Sequence, residues 1–144
     1  YDPGTTPRQA EELGVKLVSL DELFAKSDYV SLHLPENAAT RGMVNRQLLE
    51  QMKEGATLVN CARAGIINED DLRAIKAEKK LRFLNDVYPK DEEGPKTCTD
   101  IADIMVPHLG ASTREANHKA AELAARELIE LDEKGTHRAI VNKA

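Results

Sequence analysis

Side chains that could act together follow three successive apolar runs of the sequence. They are Arg63 after residues 57–61, Asp86 and Asp91 at and beyond the end of residues 81–87, and His108 after residues 101–106. Short apolar runs of this kind are typical of buried parallel strands. Ligands of an open α/β sheet bind at the carboxyl ends of its strands, so we expect these side chains to converge there.

Together these residue types could form an acid–base site for an anionic substrate. A guanidinium can bind a carboxylate through two parallel hydrogen bonds. An imidazole can take up or release a proton near neutral pH. A carboxylate beside it would fix its tautomer and stabilise its protonated form.

Taken one at a time, the same residues have ordinary interpretations. Arg63 alone would be a loop residue that caps a neighbouring group, and His108 after Pro107 would be a helix-entry residue. Cys61 is expected to pack in the core, whereas Cys98 lies in a polar loop with no evident partner.

The elements that must position these residues alternate between strand and helix. Strands are predicted at 15–18, 30–34, 57–61, 81–87 and 101–106. Helices are predicted at 8–13, after Ser19, at 46–52, at 69–80 and from Ser112 to about 134, where Ser19–Glu22 and Ser112–Glu115 have capping-box spacing. Alternation at this spacing predicts βαβ units and a mainly parallel sheet.

Composition restricts the partners. The chain has 144 residues, enough for one domain, and a formal net charge of −5, which disfavours nucleic acid. No apolar run approaches the length of a membrane span. Two cysteines form no disulfide framework, which fits the cytoplasm. No metal site is predicted.

Several motifs resemble the D-isomer-specific 2-hydroxyacid dehydrogenases in order and spacing, and together they extend over most of the chain. They are DYVSLHLP at 28–35, TRG at 40–42, NCARAGII at 60–67, DVY at 86–88 and PHLGAST at 107–113. The segments CAR and PHLGAST are the most specific of these.

The resemblance implies hydride transfer between NAD and a 2-hydroxy acid in a homo-oligomeric enzyme. It implies that Arg63 binds the substrate carboxylate and that His108 is the general acid/base. The implied cofactor-binding residues are Asp2, Leu34, Cys61, Ala62, Arg63, Asp86, His108, Gly110 and Ala111. Among substrates, 3-phosphoglycerate, which would lead to serine, is the first candidate. Glyoxylate, hydroxypyruvate or another 2-oxo acid is the alternative, and a dinucleotide-binding regulator of the same fold is a third hypothesis.

Two departures from the family pattern stand out. In the family, the acid that pairs with the histidine is a Glu that lies five residues after the Asp of the Asp-Val-Tyr motif and directly before a Pro. Five residues after Asp86 is Asp91, whereas the nearest acid before Pro95 is Glu93. We favour Asp91. No Gly-x-Gly-x-x-Gly loop is present, although such a loop normally holds the pyrophosphate.

These departures predict an incomplete Rossmann-like, doubly wound parallel sheet that lacks its first strand and its glycine-rich loop. We expect residues 1–144 to be part of a longer polypeptide and to form a partial dinucleotide-binding domain. The substrate domain would be absent apart from a return segment near 139–144. On their own, these residues should be inactive and bind dinucleotide weakly.

Overall fold

The structure is a computed structural model that describes residues 1–88 and 97–135. Asp91, Glu93 and the segment 139–144 therefore lie outside the described residues. The chain divides into two compact units, Tyr1–Pro107 and His108–Ala144.

The first unit contains a four-stranded parallel sheet in the order β1-β2-β3-β4. The strands are β1 (Tyr29–Leu32), β2 (Thr57–Asn60), β3 (Arg82–Asn85) and β4 (Ile104–Met105). Leu32 is in register with Asn60, Asn60 with Asn85, and Asn85 with Met105. All four strands therefore end in one row, and the prediction of a parallel α/β sheet is confirmed.

Four helices accompany these strands in the first unit: α1 (Pro7–Glu12), α2 (Leu20–Lys26), α3 (Arg46–Gln51) and α4 (Glu69–Glu78). Their starts are set by local chemistry. Thr6 and Gln9 form a reciprocal capping box at α1. Ser19, Asn45 and Asn68 each accept a backbone N–H three residues ahead, at α2, α3 and α4.

An aliphatic core holds the sheet to the helices. Strand residues Val30, Leu58 and Phe83 belong to the same buried cluster as helical residues. The fully buried helical side chains of that cluster include Phe24, Leu49, Leu72 and Ile75. Burial of a side chain of this size contributes about 1.5–3 kcal/mol to folding.

Residues 15–18 do not form the predicted strand. They adopt no regular structure, and the Val15 N–H donates to the Ala10 carbonyl, 2.9 Å away, as the chain leaves α1. A strand needs a ladder partner as well as an apolar sequence, and none of the described residues pairs with this segment. β1 is consequently an edge strand in the described sheet.

The second unit contains α5 (Arg114–Lys134), which ends at Gly135 in a left-handed conformation with φ +61°. Its N-cap is Thr113, whose side chain accepts from the Ala116 N–H, and not the predicted Ser112. Ser112 and Thr113 are adjacent hydroxyl residues that can both cap a helix, and the helix begins after the second of them. None of the described residues of α5 is buried. No described helix is long and apolar enough to cross a membrane.

Candidate functional site

The carboxyl ends of β1, β2 and β3 bring together several of the candidate residues in the first unit. Leu34 follows β1 by two residues, Cys61 and Ala62 follow β2, and Asp86 follows β3. The Asp86 N–H donates to the Asn60 carbonyl across the two strand ends, 2.9 Å away. These predicted cofactor residues therefore share one edge of the sheet.

Arg63 lies in the turn that follows β2, directly before a 3₁₀ turn formed by Ala64–Ile66. The residue is exposed, and its Nη1 donates to the Ala62 carbonyl, 2.6 Å away. None of the carboxylates in the described part of the chain forms an ion pair with Arg63. The guanidinium can therefore take an external anion.

The turn that carries Arg63 is fixed by the side chain of Asn60. This residue is 1 % exposed. Its Oδ1 accepts from the Ala62 N–H at 3.0 Å, and its Nδ2 donates to the Arg63 carbonyl at 3.0 Å. Both ends of the amide are therefore used to close an Asx turn over residues 60–63. This role of Asn60 was not predicted, although an Asn at a strand end, three residues before the Arg, was a usable signal.

A second side-chain hydrogen bond to the same turn comes from Glu36, in the segment after β1. Glu36 accepts the Gly65 N–H at 3.2 Å and pairs with Arg41 Nη2 at 2.7 Å. The two partners Glu36 and Gly65 are 29 residues apart. No local sequence pattern indicates this contact.

Asp2 and Leu34, both predicted to contact the cofactor, line one cavity of about 530 Å³. Asp2 Oδ1 accepts from the Gly4 N–H at 2.7 Å, which fixes the carboxylate in a tight turn. Ser31 Oγ and His33 Nε2, 2.8 Å apart, also line the cavity. The volume is in the range of small-molecule sites, and Arg63 is not among the lining residues.

The two cysteines are placed opposite to the expectation. Cys61 is exposed and Cys98 is buried. β2 ends at Asn60, which is buried, and Cys61 is the first residue beyond the strand. Cys98 is covered near the strand ends, where Asn85 Nδ2 donates to its Sγ at 3.2 Å.

His108, Gly110 and Ala111 belong to the second unit. His108 is exposed and has φ +54°, a conformation that is uncommon outside glycine and that occurs several-fold more often in His than in most residues. The convergence of Arg63, His108 and an acid at one site stays a prediction, as does the choice between Asp91 and Glu93.

The sheet and its polar edge define a nucleotide-binding type of α/β fold. A family model described as "D-isomer specific 2-hydroxyacid dehydrogenase, NAD binding domain" matches residues 1–110. The chain belongs to this family.

Individual relatives agree with this assignment. The D-3-phosphoglycerate dehydrogenase of Archaeoglobus fulgidus is 39% identical over 134 residues, which is 91% of this chain and 25% of the relative. An NAD+-bound 3-phosphoglycerate dehydrogenase from Entamoeba histolytica has a TM-score of 0.76 and 29% identity, covering 99% of this chain and 46% of that one. A glyoxylate reductase from Paecilomyes thermophila has a TM-score of 0.73 and 33% identity, covering 91% and 40%. The chain thus spans about a quarter of the length of the curated relative.

Proposed function

We propose that this chain is the larger part of the NAD-binding domain of an enzyme that transfers hydride between NAD and a D-2-hydroxy acid. The observation that carries the proposal is Arg63: an exposed guanidinium, fixed at the carboxyl edge of a parallel sheet and paired with no described carboxylate. A guanidinium that pairs with no carboxylate of the described residues is suited to the carboxylate that all 2-hydroxy acids share.

The described residues fit the adenosine end of the cofactor. Asp2 presents a carboxylate to a cavity of suitable size, and carboxylates in this position accept hydrogen bonds from ribose hydroxyls. Leu34 supplies an apolar wall of the same cavity. Cys61, Ala62 and Asp86 would continue the contact along the sheet edge, and Gly110 and Ala111 would complete it. When bound, NAD supplies a nicotinamide ring that can accept the hydride from C2 of the hydroxy acid.

The remaining chemistry is assigned to two side chains. Arg63 would hold the substrate carboxylate through two parallel hydrogen bonds and so fix the orientation of C2. His108 would hold the hydroxyl proton of C2 and take it up during oxidation, or return it during reduction. An acid, Asp91 or Glu93, would orient the imidazole.

Among possible substrates we propose 3-phosphoglycerate first, because a curated relative that is 39% identical over 134 residues is named for it. Glyoxylate or hydroxypyruvate is the second candidate, since a glyoxylate reductase matches the fold at 33% identity. We further propose a homo-oligomer. We place it in the cytoplasm, which is in keeping with two cysteines that are not joined in a disulfide.

The test is steady-state reduction of 3-phosphohydroxypyruvate, hydroxypyruvate and glyoxylate by NADH with the complete protein. Arg63→Gln should lower kcat/KM by about a hundredfold to a thousandfold, because two charge-assisted hydrogen bonds are lost. Arg63→Lys should retain only part of the activity, since an ammonium cannot bind both oxygens in the same plane.

Arg46→Gln is the matched control, because Arg46 is an exposed arginine that pairs with Glu50 on α3. Its kcat/KM should equal that of the wild type. Equal activity of the Arg63→Gln and Arg46→Gln variants would contradict the role of Arg63.

A further inference from the structure

Glu36 occupies an unusual place between the two segments that the proposed site requires. It directly follows Leu34 and Pro35, which line the cavity, and its carboxylate reaches the turn after β2. Its side chain is 23 % exposed, whereas that of its partner Arg41 is 74 % exposed. The carboxylate is therefore held against the protein and not extended into solvent.

Backbone contacts surround this side-chain contact. The Gly42 N–H donates to the Gly65 carbonyl at 2.8 Å, and the Val44 N–H donates to the Ile66 carbonyl at 3.0 Å. Val44 and Ile67 form an isolated parallel bridge. The connection 36–44 thus runs beside the turn 63–67, and Glu36 adds the only described side-chain hydrogen bond to the Gly65 N–H.

The fit between Glu36 and Gly65 is close. A Cβ added at Gly65 would lie 2.5 Å from Glu36 Oε1 and 2.7 Å from Oε2. Gly65 does not have a positive φ. A side chain at this position would therefore displace the Glu36 carboxylate, which is the end of a flexible side chain, whereas the backbone conformation does not call for glycine.

We propose that Glu36 is a positioning residue for Arg63, an inference that rests on the proposed function. Asn60 holds the backbone of Arg63 from the strand side, through the Arg63 carbonyl. Glu36 holds the same turn two residues later, through the Gly65 N–H. A guanidinium can bind a carboxylate in one orientation only if the backbone that carries it is fixed on both sides.

The hydrogen bond to Gly65 carries this role, and the charge of Glu36 does not. Glu36→Gln retains an oxygen that can accept the Gly65 N–H and loses only the ion pair with Arg41. Glu36→Ala loses both contacts. The two variants together separate positioning from electrostatics.

The experiment measures kcat, KM for the 2-oxo acid and Kd for NADH in the complete protein. Glu36→Ala should raise KM for the oxo acid about tenfold, because a small displacement of a positioning group has effects of up to about a hundredfold. Its Kd for NADH should stay within about twofold of wild type. Glu36→Gln should restore most of the oxo-acid affinity.

A double-mutant cycle with Gly65→Ala tests the contact itself. The added methyl group should displace the Glu36 carboxylate and raise KM by a similar factor. In the Glu36→Ala/Gly65→Ala double variant that methyl group no longer meets a carboxylate, so the two effects should not add. Glu54→Ala, which breaks the exposed ion pair of Glu54 with Lys80, is the matched control and should keep wild-type KM.

Amide hydrogen exchange at Gly65 gives a readout that does not depend on turnover. The exchange should be faster in Glu36→Ala and close to wild type in Glu36→Gln. Wild-type KM and unchanged exchange at Gly65 in Glu36→Ala would overturn the proposal. Additive effects on KM in the double variant would also overturn it, and so would a loss of NADH affinity as large as the loss of oxo-acid affinity. If the wild type reduces none of the oxo acids, the proposed function is wrong. The contact between Glu36 and Gly65 is then tested by amide exchange alone, and unchanged exchange at Gly65 in Glu36→Ala would refute it.

Discussion

The Asx turn closed by Asn60 leads to a quantitative prediction, because both ends of a nearly fully buried amide are paired. Asn60→Ala leaves the N–H of the buried Ala62 without an acceptor, which costs about 1–3 kcal/mol. The lost bond to the Arg63 carbonyl costs less, about 0.5–1.5 kcal/mol, because Arg63 is exposed and water can replace the donor. The free energy of unfolding should therefore fall by about 1.5–4.5 kcal/mol.

The assay is urea unfolding of the complete protein followed by far-UV circular dichroism. With a typical urea dependence, the midpoint should fall by about 1–2 M. Asn60→Asp keeps an acceptor for Ala62 but turns a second acceptor toward the Arg63 carbonyl. It should therefore also be less stable than the wild type.

Asn85→Ala is the matched control, because Asn85 is in register with Asn60 and is also buried. Its Nδ2 donates to the Val87 carbonyl and to Cys98, whereas its Oδ1 accepts from none of the described residues. Asn85→Ala removes this unpaired oxygen from the core. The free energy of unfolding should therefore fall less than in Asn60→Ala, and KM for the oxo acid should not change. A change of less than about 0.5 kcal/mol in Asn60→Ala would refute the assignment of the turn to this amide.

Three further predictions concern other parts of the molecule. Burial raises the pKa of Asp103, but the Phe83 N–H at 2.6 Å and Lys76 outweigh it and hold the pKa below its ordinary value. This contribution to stability is present above the ordinary pKa and is lost on acidification, so the free energy of unfolding should fall below about pH 4, and less steeply in Asp103→Asn. Iodoacetamide should label the exposed Cys61 but not the buried Cys98 in the native protein. NADH should protect Cys61 from this labelling. Labelling of both thiols at equal rates would contradict their placement. His108→Ala should lower turnover by about two to four orders of magnitude, and comparison of Asp91→Asn with Glu93→Gln should identify the acid by the larger loss.

Local chemistry made several elements predictable from the sequence. The helices predicted at 46–52 and 69–80 begin close to the expected residues, after the caps Asn45 and Asn68, because a cap needs only residues three positions apart. The strand at 57–61 was recognised from its β-branched run, and β2 covers Thr57–Asn60. The positions of Leu34, Cys61, Ala62 and Asp86 at one edge follow from strands that end in register.

Features that depend on distant residues were not predictable. The segment 15–18 has a strand-like sequence but no ladder partner among the described residues. The exposure of Cys61 depends on where β2 ends, to within one residue. The contact between Glu36 and Gly65 joins two loops 29 residues apart, and no periodicity in the sequence indicates it.

The central claim is hydride transfer at the edge that carries Arg63, and isotope transfer tests it most directly. The complete protein is incubated with a 2-oxo acid and NADH that carries two deuterium atoms at C4, and the product is analysed by mass spectrometry and chiral chromatography. We predict one deuterium at C2 of a D-2-hydroxy acid, with the rate of transfer lowered about a hundredfold to a thousandfold in Arg63→Gln. Tight binding of NADH without label in any hydroxy acid would contradict the claim and would favour a dinucleotide-binding regulator.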